Sequence, residues 1–413
     1  MKKVLYCILI TTILFSSCSA NPSKTLDETK KHSENTVNTS DEMRGVWIAF
    51  YELDFTDKSE NAFRENIKVM FQNIADIGLN AVFVHVRSHS DAYYKSEIFP
   101  FSKFIAGEQG KDIGYDPLEI MIKLAHEKNL EFHAWLNPFR ILADSTDLSR
   151  LSNDNPAKKF LTSGDKNSSR YVSPAEGGLY YNPAETAVQK LIIDGVREII
   201  DNYDVDGIHI DDYFYPTTDV SFDKETYEIY KKNANTAVLS FDDFRRVSIN
   251  KFISSLYRTI KQKDVNIQFG ISPACNMHNN YNMLFADVKT WVQNDGFVDY
   301  ITPQCYFGFE YDFDYKGQNF GFENLLKDWS GLVTNDNIKL YMGLGPYRAG
   351  EEMKLNSQIS DEWVKNSDIT ARQIEFSRKN EKYKGFTLFS YSSLFTEAGE
   401  KERDNVKDLL NKK

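Results

Sequence analysis

Cysteine is scarce in this chain: four in 413 residues, at positions 7, 18, 275 and 305. None is spaced with histidine as zinc ligands are, and no His-Glu-x-x-His pattern occurs. No metal and no organic cofactor is therefore indicated. A surplus of positive charge is also missing. The 60 acidic residues outnumber the 49 basic ones, for a net charge of −11. That balance argues against nucleic acid as a partner, because phosphates demand a basic surface. No polybasic patch offers itself to anionic lipid heads either. The chain shows no repeat at solenoid spacing, and no linker-like composition interrupts it after residue 43. Two stacked domains are thus not expected. The leading apolar run, Val4–Phe15, is too short to span a bilayer comfortably.

What stands at the N-terminus is a secretory pattern. Met1-Lys2-Lys3 precedes the apolar run, and Ser16-Ser17-Cys18 follows it. The small residues before Cys18 resemble a bacterial lipoprotein box, which would make Cys18 the lipidated first residue of an exported, membrane-anchored protein. An ordinary signal peptide with a coincidental cysteine is the competing reading. Residues 19–42 are polar and nearly free of large apolar groups, so they cannot bury enough surface to fold. They read as a tether with an end-to-end distance of roughly 25–30 Å. The expected organisation is a signal over 1–17, a lipidated cysteine and tether over 18–42, and one domain over 43–413. Cys275 and Cys305 remain in that domain. A disulfide is permitted outside the cytoplasm, but two buried free thiols are favoured because neighbouring strands often miss the bonding distance.

From Met43 onward, strands alternate with helices. Candidate strands are Met43–Phe50, Ala81–Arg87, Glu131–Leu136, Gly207–Asp211, Ile267–Ser272, Tyr300–Tyr306, Lys339–Gly343 and Phe386–Tyr391. Candidate helices include Asn61–Ile77, a helix opened by Asp116-Pro117, Ala184–Tyr203, Phe241–Gln262, Phe285–Asn294, Asn324–Leu332 and Ile369–Lys379. Such alternation means parallel pairing with crossover helices, and eight units close into an α/β barrel of the (β/α)₈ TIM type. The strands are rich in Val, Ile and Phe, as strands buried on both faces should be. Long loops follow the second, third, fourth and seventh strands, where this fold builds its catalytic face.

The most informative stretch is Asp206-Gly207-Ile208-His209-Ile210-Asp211-Asp212-Tyr213-Phe214-Tyr215-Pro216. A buried strand runs into two adjacent carboxylates, although like charges repel and each costs desolvation energy. Acids beside aromatic rings at the mouth of a parallel strand suit sugar cleavage: acids for proton or nucleophile work, rings for stacking on sugar faces. An acidic turn capping the next helix is the competing reading. Alternation along the strand puts His209 and Asp211 on one face, opposite Ile208 and Ile210. The same test groups Phe83, His85 and Arg87, then His133, Trp135 and Asn137, then Thr302, Gln304 and Tyr306. Tyr347 and Tyr391 follow the seventh strand and end the eighth. Each alone has a plainer reading as a satisfied core residue, and Arg87 as a buried partner for an acid. Their convergence on one end of a barrel is what an active site requires.

These motifs together resemble one family. Met43-Arg44-Gly45-Val46-Trp47, Asn80–Arg87 with Asp91-Ala92, Gly114-Tyr115-Asp116-Pro117-Leu118 and His133-Ala134-Trp135-Leu136-Asn137-Pro138 occur in order. The 206–216 motif, Gly270-Ile271-Ser272-Pro273, Asp299-Tyr300-Ile301-Thr302-Pro303-Gln304 and Phe389-Ser390-Tyr391 follow. The chain is similar to the glycosyl hydrolase-like family ten proteins, bacterial exported or lipid-anchored barrels. One branch of that family cleaves peptidoglycan strands whose stem peptides have been removed. The resemblance covers nearly all of the mature domain. It implies a cell-wall glycan as substrate, a membrane reached through Cys18, and cell-wall or cell-division machinery as partners.

The fourth strand is also distantly similar to that of the α-amylase group, with Asp211 in the nucleophile register. That group carries its acid/base Glu at the end of strand five, where this chain has Ser272-Pro273-Ala274. Asp211 is the expected nucleophile or charge stabiliser. Asp212, Asp91 and Glu310 are candidates for the proton donor. Alternatively the substrate's own acetamido oxygen attacks, with Asp211 and Asp212 orienting it and donating the proton. Arg87, His133, Asn137, His209, Gln304 and Tyr306 would bind hydroxyls or the acetamido group. Trp135, Tyr213, Tyr215, Tyr347 and Tyr391 are candidate stacking platforms. A barrel that binds glycan without cleaving it, or one that cleaves another extracellular polysaccharide, are the alternatives.

Overall fold

The computed structural model describes residues 41–355 and 358–412. The signal, Cys18 and nearly all of the expected tether lie outside the described residues. Eight parallel strands close a barrel: β1 (Met43–Ile48), β2 (Ala81–Arg87), β3 (Glu131–Leu136), β4 (Gly207–Ile210), β5 (Gln268–Ile271), β6 (Tyr300–Ile301), β7 (Lys339–Leu344) and β8 (Tyr383–Leu388). Each pairs with its sequence neighbours, and β8 pairs with β1. The crossover helices that bear on the architecture are α1 (Glu60–Ile77), α2 (Pro117–His126), α3 (Thr186–Asn202), α4 (Phe241–Lys263), α5 (Val288–Gln293), α6 (Phe322–Leu332), α7 (Ile369–Ser377) and α8 (Gly399–Asn411).

Local chemistry explains the helix starts. The side chains of Ser59, Asp116 and Ser240 accept from backbone N–H groups in the first turns of α1, α2 and α4. Pro117 sits at the first helical position. Gly78 ends α1 in the left-handed conformation, φ 96°.

Two apolar layers result. Ile208, Ile210, Val82, Val84 and their equivalents face outward and pack under the helices. Met43, Trp47, Ala81, Phe83, Trp135, Tyr300 and Tyr341 fill the inside of the barrel. Rings of that size need small residues opposite them. A methyl group at Gly207 would overlap the His133 ring, and one at Gly270 would overlap Tyr300.

Several elements depart from the sequence reading. β6 is short, because Pro303 has no N–H to continue the ladder; only an isolated bridge at Gln304 follows. β8 ends at Leu388 rather than Tyr391. The loop after β4 carries an extra helix, Lys224–Asn233, and the loop after β3 folds into a three-stranded antiparallel sheet. The helix expected at Phe285–Asn294 begins only at Val288.

Directly before β1, Glu42 packs against the barrel entry. Glu42 is 1% exposed. Its carboxylate accepts from Arg44 Nε at 2.9 Å, Arg378 Nη2 at 2.7 Å and the Tyr383 hydroxyl at 2.9 Å. Its carbonyl accepts from Asn80 Nδ2 at 2.9 Å. One residue, through its side chain and its carbonyl, thus ties the entries of β1, β2 and β8 to the end of α7, at the seam where the barrel closes. Burial raises the Glu42 carboxyl, but the Arg378, Tyr383 and Arg44 contacts outweigh it and hold it below the usual range. The stabilisation is therefore present above the ordinary carboxylate range and fades as pH falls through the lowered value. Glu42→Ala should cost about 2–4 kcal/mol, because it leaves Arg378 and Tyr383 without their acceptor. Urea unfolding at pH 7 measures this, and the deficit should shrink in acid.

Candidate active site

At the C-terminal mouth the barrel opens into a cavity of about 280 Å³. β4 delivers Asp211 and Asp212 to its wall, because the chain leaves the strand at Ile210 with Asp211 still in the inward register. Asp211 is 3% exposed. Its Oδ2 accepts from Trp135 Nε1 at 3.1 Å and from Asn137 Nδ2, both on or just past β3. Its Oδ1 accepts from the Tyr213 backbone N–H at 3.3 Å. Asp212 Oδ1 accepts from Gln304 Nε2 at 3.0 Å, and the same amide group donates to Ser272 O.

Burial pushes the Asp211 carboxyl up to about 7, with the charge of Asp212 adding to it and Arg140, Asn137 and the Tyr213 N–H opposing it. Asp212 is raised too, by burial, against the Gln304 hydrogen bond and Arg140. The two titrate as a pair that holds about one proton near neutrality.

The surrounding polar groups have determinate roles. Asn137 donates to Asp211, so its Oδ1 is an acceptor. It receives Arg140 Nη2 and His85 Nε2, the latter at 3.1 Å. His85 stacks on Trp135 with ring centroids 3.5 Å apart, and burial beside the Arg140 charge keeps it neutral. Arg140 Nε donates to Ser88 O at 3.0 Å, and its guanidinium lies 4.7 Å over the Tyr213 ring. Tyr213 is half exposed, as a stacking platform must be. Tyr306 lines the opposite wall and stacks on Phe389.

Trp135, Asn137, Tyr213, Gln304, Tyr306, Asp211 and Asp212 are therefore brought to one place, as expected. Asn137 reaches it through Asp211, and the other six line the cavity itself. The remaining candidates sit elsewhere. A register shift between His85 and Arg87 turns Arg87 out of the barrel. It is fully buried, lies over Phe99 and donates to the carbonyls of Asn137 and Pro138. His133 and His209 point inward but lie below the cavity. Trp47 Nε1 donates to His209 Nε2 at 3.2 Å, so His209 Nδ1 carries the proton and donates to the Tyr300 hydroxyl. Tyr300 in turn donates to His133 Nδ1. Both imidazoles are thus consumed in the barrel floor.

Asp91 is buried in the loop after β2, and burial raises it to about 6 against hydrogen bonds from Ser102 and Gln109. It does not line the cavity. Glu310 is exposed on the loop after β6. Tyr215 is buried under Arg245. Tyr347 packs edge-on behind Tyr306. Tyr391 accepts from Asn73 of α1 at 3.0 Å, a consequence of β8 ending before it. Arg140, Trp47, Phe50, Tyr51, Ser272 and Phe389 were not among the expected site residues, yet they line the cavity. A signal for Arg140 was present: a cation three residues past Asn137. Cys275 and Cys305 are buried free thiols with their sulfurs 3.5 Å apart.

The raised Asp211 acid destabilises the fold wherever it is ionised, that is, above about pH 7. Asp211→Asn should therefore be more stable than the parent at pH 8 by about 1–3 kcal/mol and nearly equal to it at pH 4. Thermal melts at the two pH values check this.

A sequence profile described as "Glycosyl hydrolase-like 10" matches residues 42–364. The "Glycosyl hydrolase YngK" of Bacillus subtilis (strain 168) is 35% identical over 376 residues, covering 86% of this chain and 69% of that protein. The "Glycosyl hydrolase DigH" of Escherichia coli (strain K12) is 28% identical over 419 residues, covering 92% and 91%. Among solved structures, the PgaB (BpsB) glycoside hydrolase domain from Bordetella bronchiseptica aligns with a TM-score of 0.58 at 12% identity, over 88% of this chain and 98% of that one. That last likeness concerns the barrel fold.

Proposed function

Since the chain belongs to the glycosyl hydrolase-like 10 family, we propose that it hydrolyses glycosidic bonds in bacterial cell-wall glycan, on strands that have lost their stem peptides. The observation that carries this reading is the mouth cavity whose carboxyl groups, among the described residues, are Asp211 and Asp212 alone. Two acids adjacent in the chain stand side by side rather than across a sugar from each other. That arrangement suits attack by the substrate's own acetamido oxygen. In the substrate complex the pair's proton passes from Asp211 to Asp212, so that Asp211, held by N–H donors on both oxygens, is ionised and orients the acetamido N–H. Asp212 carries the shared proton and delivers it to the leaving oxygen. Tyr213 and Tyr306 supply ring surface, and Arg140 is the cation of the cavity lining. A muramic acid whose peptide is gone exposes a free lactyl carboxylate, which an arginine can bind and a peptide-linked residue cannot offer. The protein is exported and held at the envelope by lipid on Cys18.

A non-catalytic glycan-binding barrel is the second reading. Ser272 stands at the mouth of β5, where the amylase group has its acid.

The chain from Asp41 onward, with Asp211→Asn and Asp212→Asn, should be incubated with bare glycan strands and with peptide-bearing sacculi. Mass spectrometry should find N-acetylated oligosaccharides from the bare strands only. Asp212→Asn should lower kcat roughly 10²–10⁴-fold. Activity should decline as pH rises past about 7, where the pair loses its shared proton. Proton NMR of the first product should show retained anomeric configuration; inversion would rule out acetamido participation. Binding without products would favour the second reading. Palmitate labelling in cells should mark the full chain and spare Cys18→Ser.

A further inference from the structure

The cleft does not stop at Gln304 and Tyr306. Both side chains also line a second cavity, of about 390 Å³, so they form a wall common to the two. The second cavity is built by two loop insertions. One follows β5 and contains the short helix Met277–Asn282. The other follows β6 and contains the hairpin Asp314–Tyr315 against Gln318–Asn319. These loops are braced against each other. Gln318, 6% exposed, accepts from the Met277 N–H at 2.9 Å and donates to the Cys275 carbonyl at 3.2 Å. His278 and Tyr315 meet edge to face across the rim, 5.9 Å between centroids. A packed aromatic group forms the floor, with Phe320 against Phe307 at 4.9 Å and against Phe313 at 6.1 Å.

We propose that this second cavity is a sugar subsite, which takes the N-acetylated pyranose unit next to the scissile bond on the same glycan strand. The inference deepens the function proposed above and rests on it for the identity of the chain. Three observations carry it. The cavity is continuous with the carboxylate cleft through Gln304, whose amide group also holds Asp212, so its occupant lies one residue from the acid. Its lining combines Phe313, Tyr315 and Tyr306 with the amides of Asn276 and Asn279 and contains no charged side chain. Rings receive the C–H face of a pyranose, and amides pair with hydroxyl and acetamido groups. An uncharged lining also excludes an anionic or cationic ligand, in contrast to the Arg140 side of the cleft. The braced rim makes the pocket preformed, so little ordering cost falls on binding.

The test separates binding from cleavage. Full-length Asp212→Asn chain is titrated calorimetrically with N-acetylglucosamine and with its β-1,4-linked tetramer, with and without Tyr315→Ala. Tyr315 is 37% exposed on the hairpin, so its loss should spare folding; a thermal melt verifies this. Phe313→Leu serves as a second variant. The tetramer should bind at least about tenfold more tightly than the monosaccharide. Each variant should lower tetramer affinity about five- to thirtyfold and leave monosaccharide affinity unchanged, as expected for one lost sugar–ring contact. Equal affinity for the two lengths, variants that bind the tetramer normally, or no binding of either would overturn the subsite. If the length-dependent binding holds but the unsubstituted chain cleaves nothing, the subsite stands and the hydrolase reading falls.

Discussion

The barrel interior has to be filled, and in this protein it is filled with rings. An eight-stranded barrel leaves room for only a few layers of inward side chains. Phe83, His133, Tyr300, His209 and Trp47 occupy that space, and most need a glycine beside them; Gly45, Gly207 and Gly270 supply the room for Phe83, His133 and Tyr300. Polar ring edges buried this deeply must be bonded. They are, in one directed chain from Trp47 through His209 and Tyr300 to His133, which ends at Glu131 near the entry of β3. The result is a dry, rigid floor.

That floor sets the chemistry of the aspartates. Asp211 leaves β4 just above His209, where it is dehydrated from below and faces the charge of Asp212. Hydrogen bonds from Trp135, Asn137 and the Tyr213 backbone fix its orientation without fully restoring the lost solvation. Arg140 restrains the pair electrostatically, while its own contacts to Ser88, Asn137 and Tyr213 keep it from collapsing onto either acid. A proton shared near pH 7 follows from this balance.

The barrel supplies rigidity and the loops supply recognition. Glu42 closes the seam at the bottom, and the top is shaped by the insertions after β3, β5 and β6. Gln304 joins these roles: it emerges just past β6, binds Asp212 and forms a wall of both cavities. The proline that cuts β6 short is also what frees Gln304 and Tyr306 from a regular ladder.

Much of this was legible in the chain itself. Eight strands, their order and the inward register of Asp211, Trp135 and Gln304 follow from alternation, which is a local property of the backbone. The adjacent acids at the end of β4 announced the site by their cost. Other features were decided only by tertiary structure. One irregular pairing after His85 sent Arg87 to the outside of the barrel. The stop of β8 at Leu388 handed Tyr391 to α1. The depth of His133 and His209 within the barrel assigned them to its floor. Glu42, which composition places in a polar tether, became a buried anchor because Arg378 and Tyr383 arrive beside it. Whether a polar residue meets a substrate or a core depends on bulges, strand ends and partners far away in sequence. Barrel closure sets all three, and no local pattern encodes them.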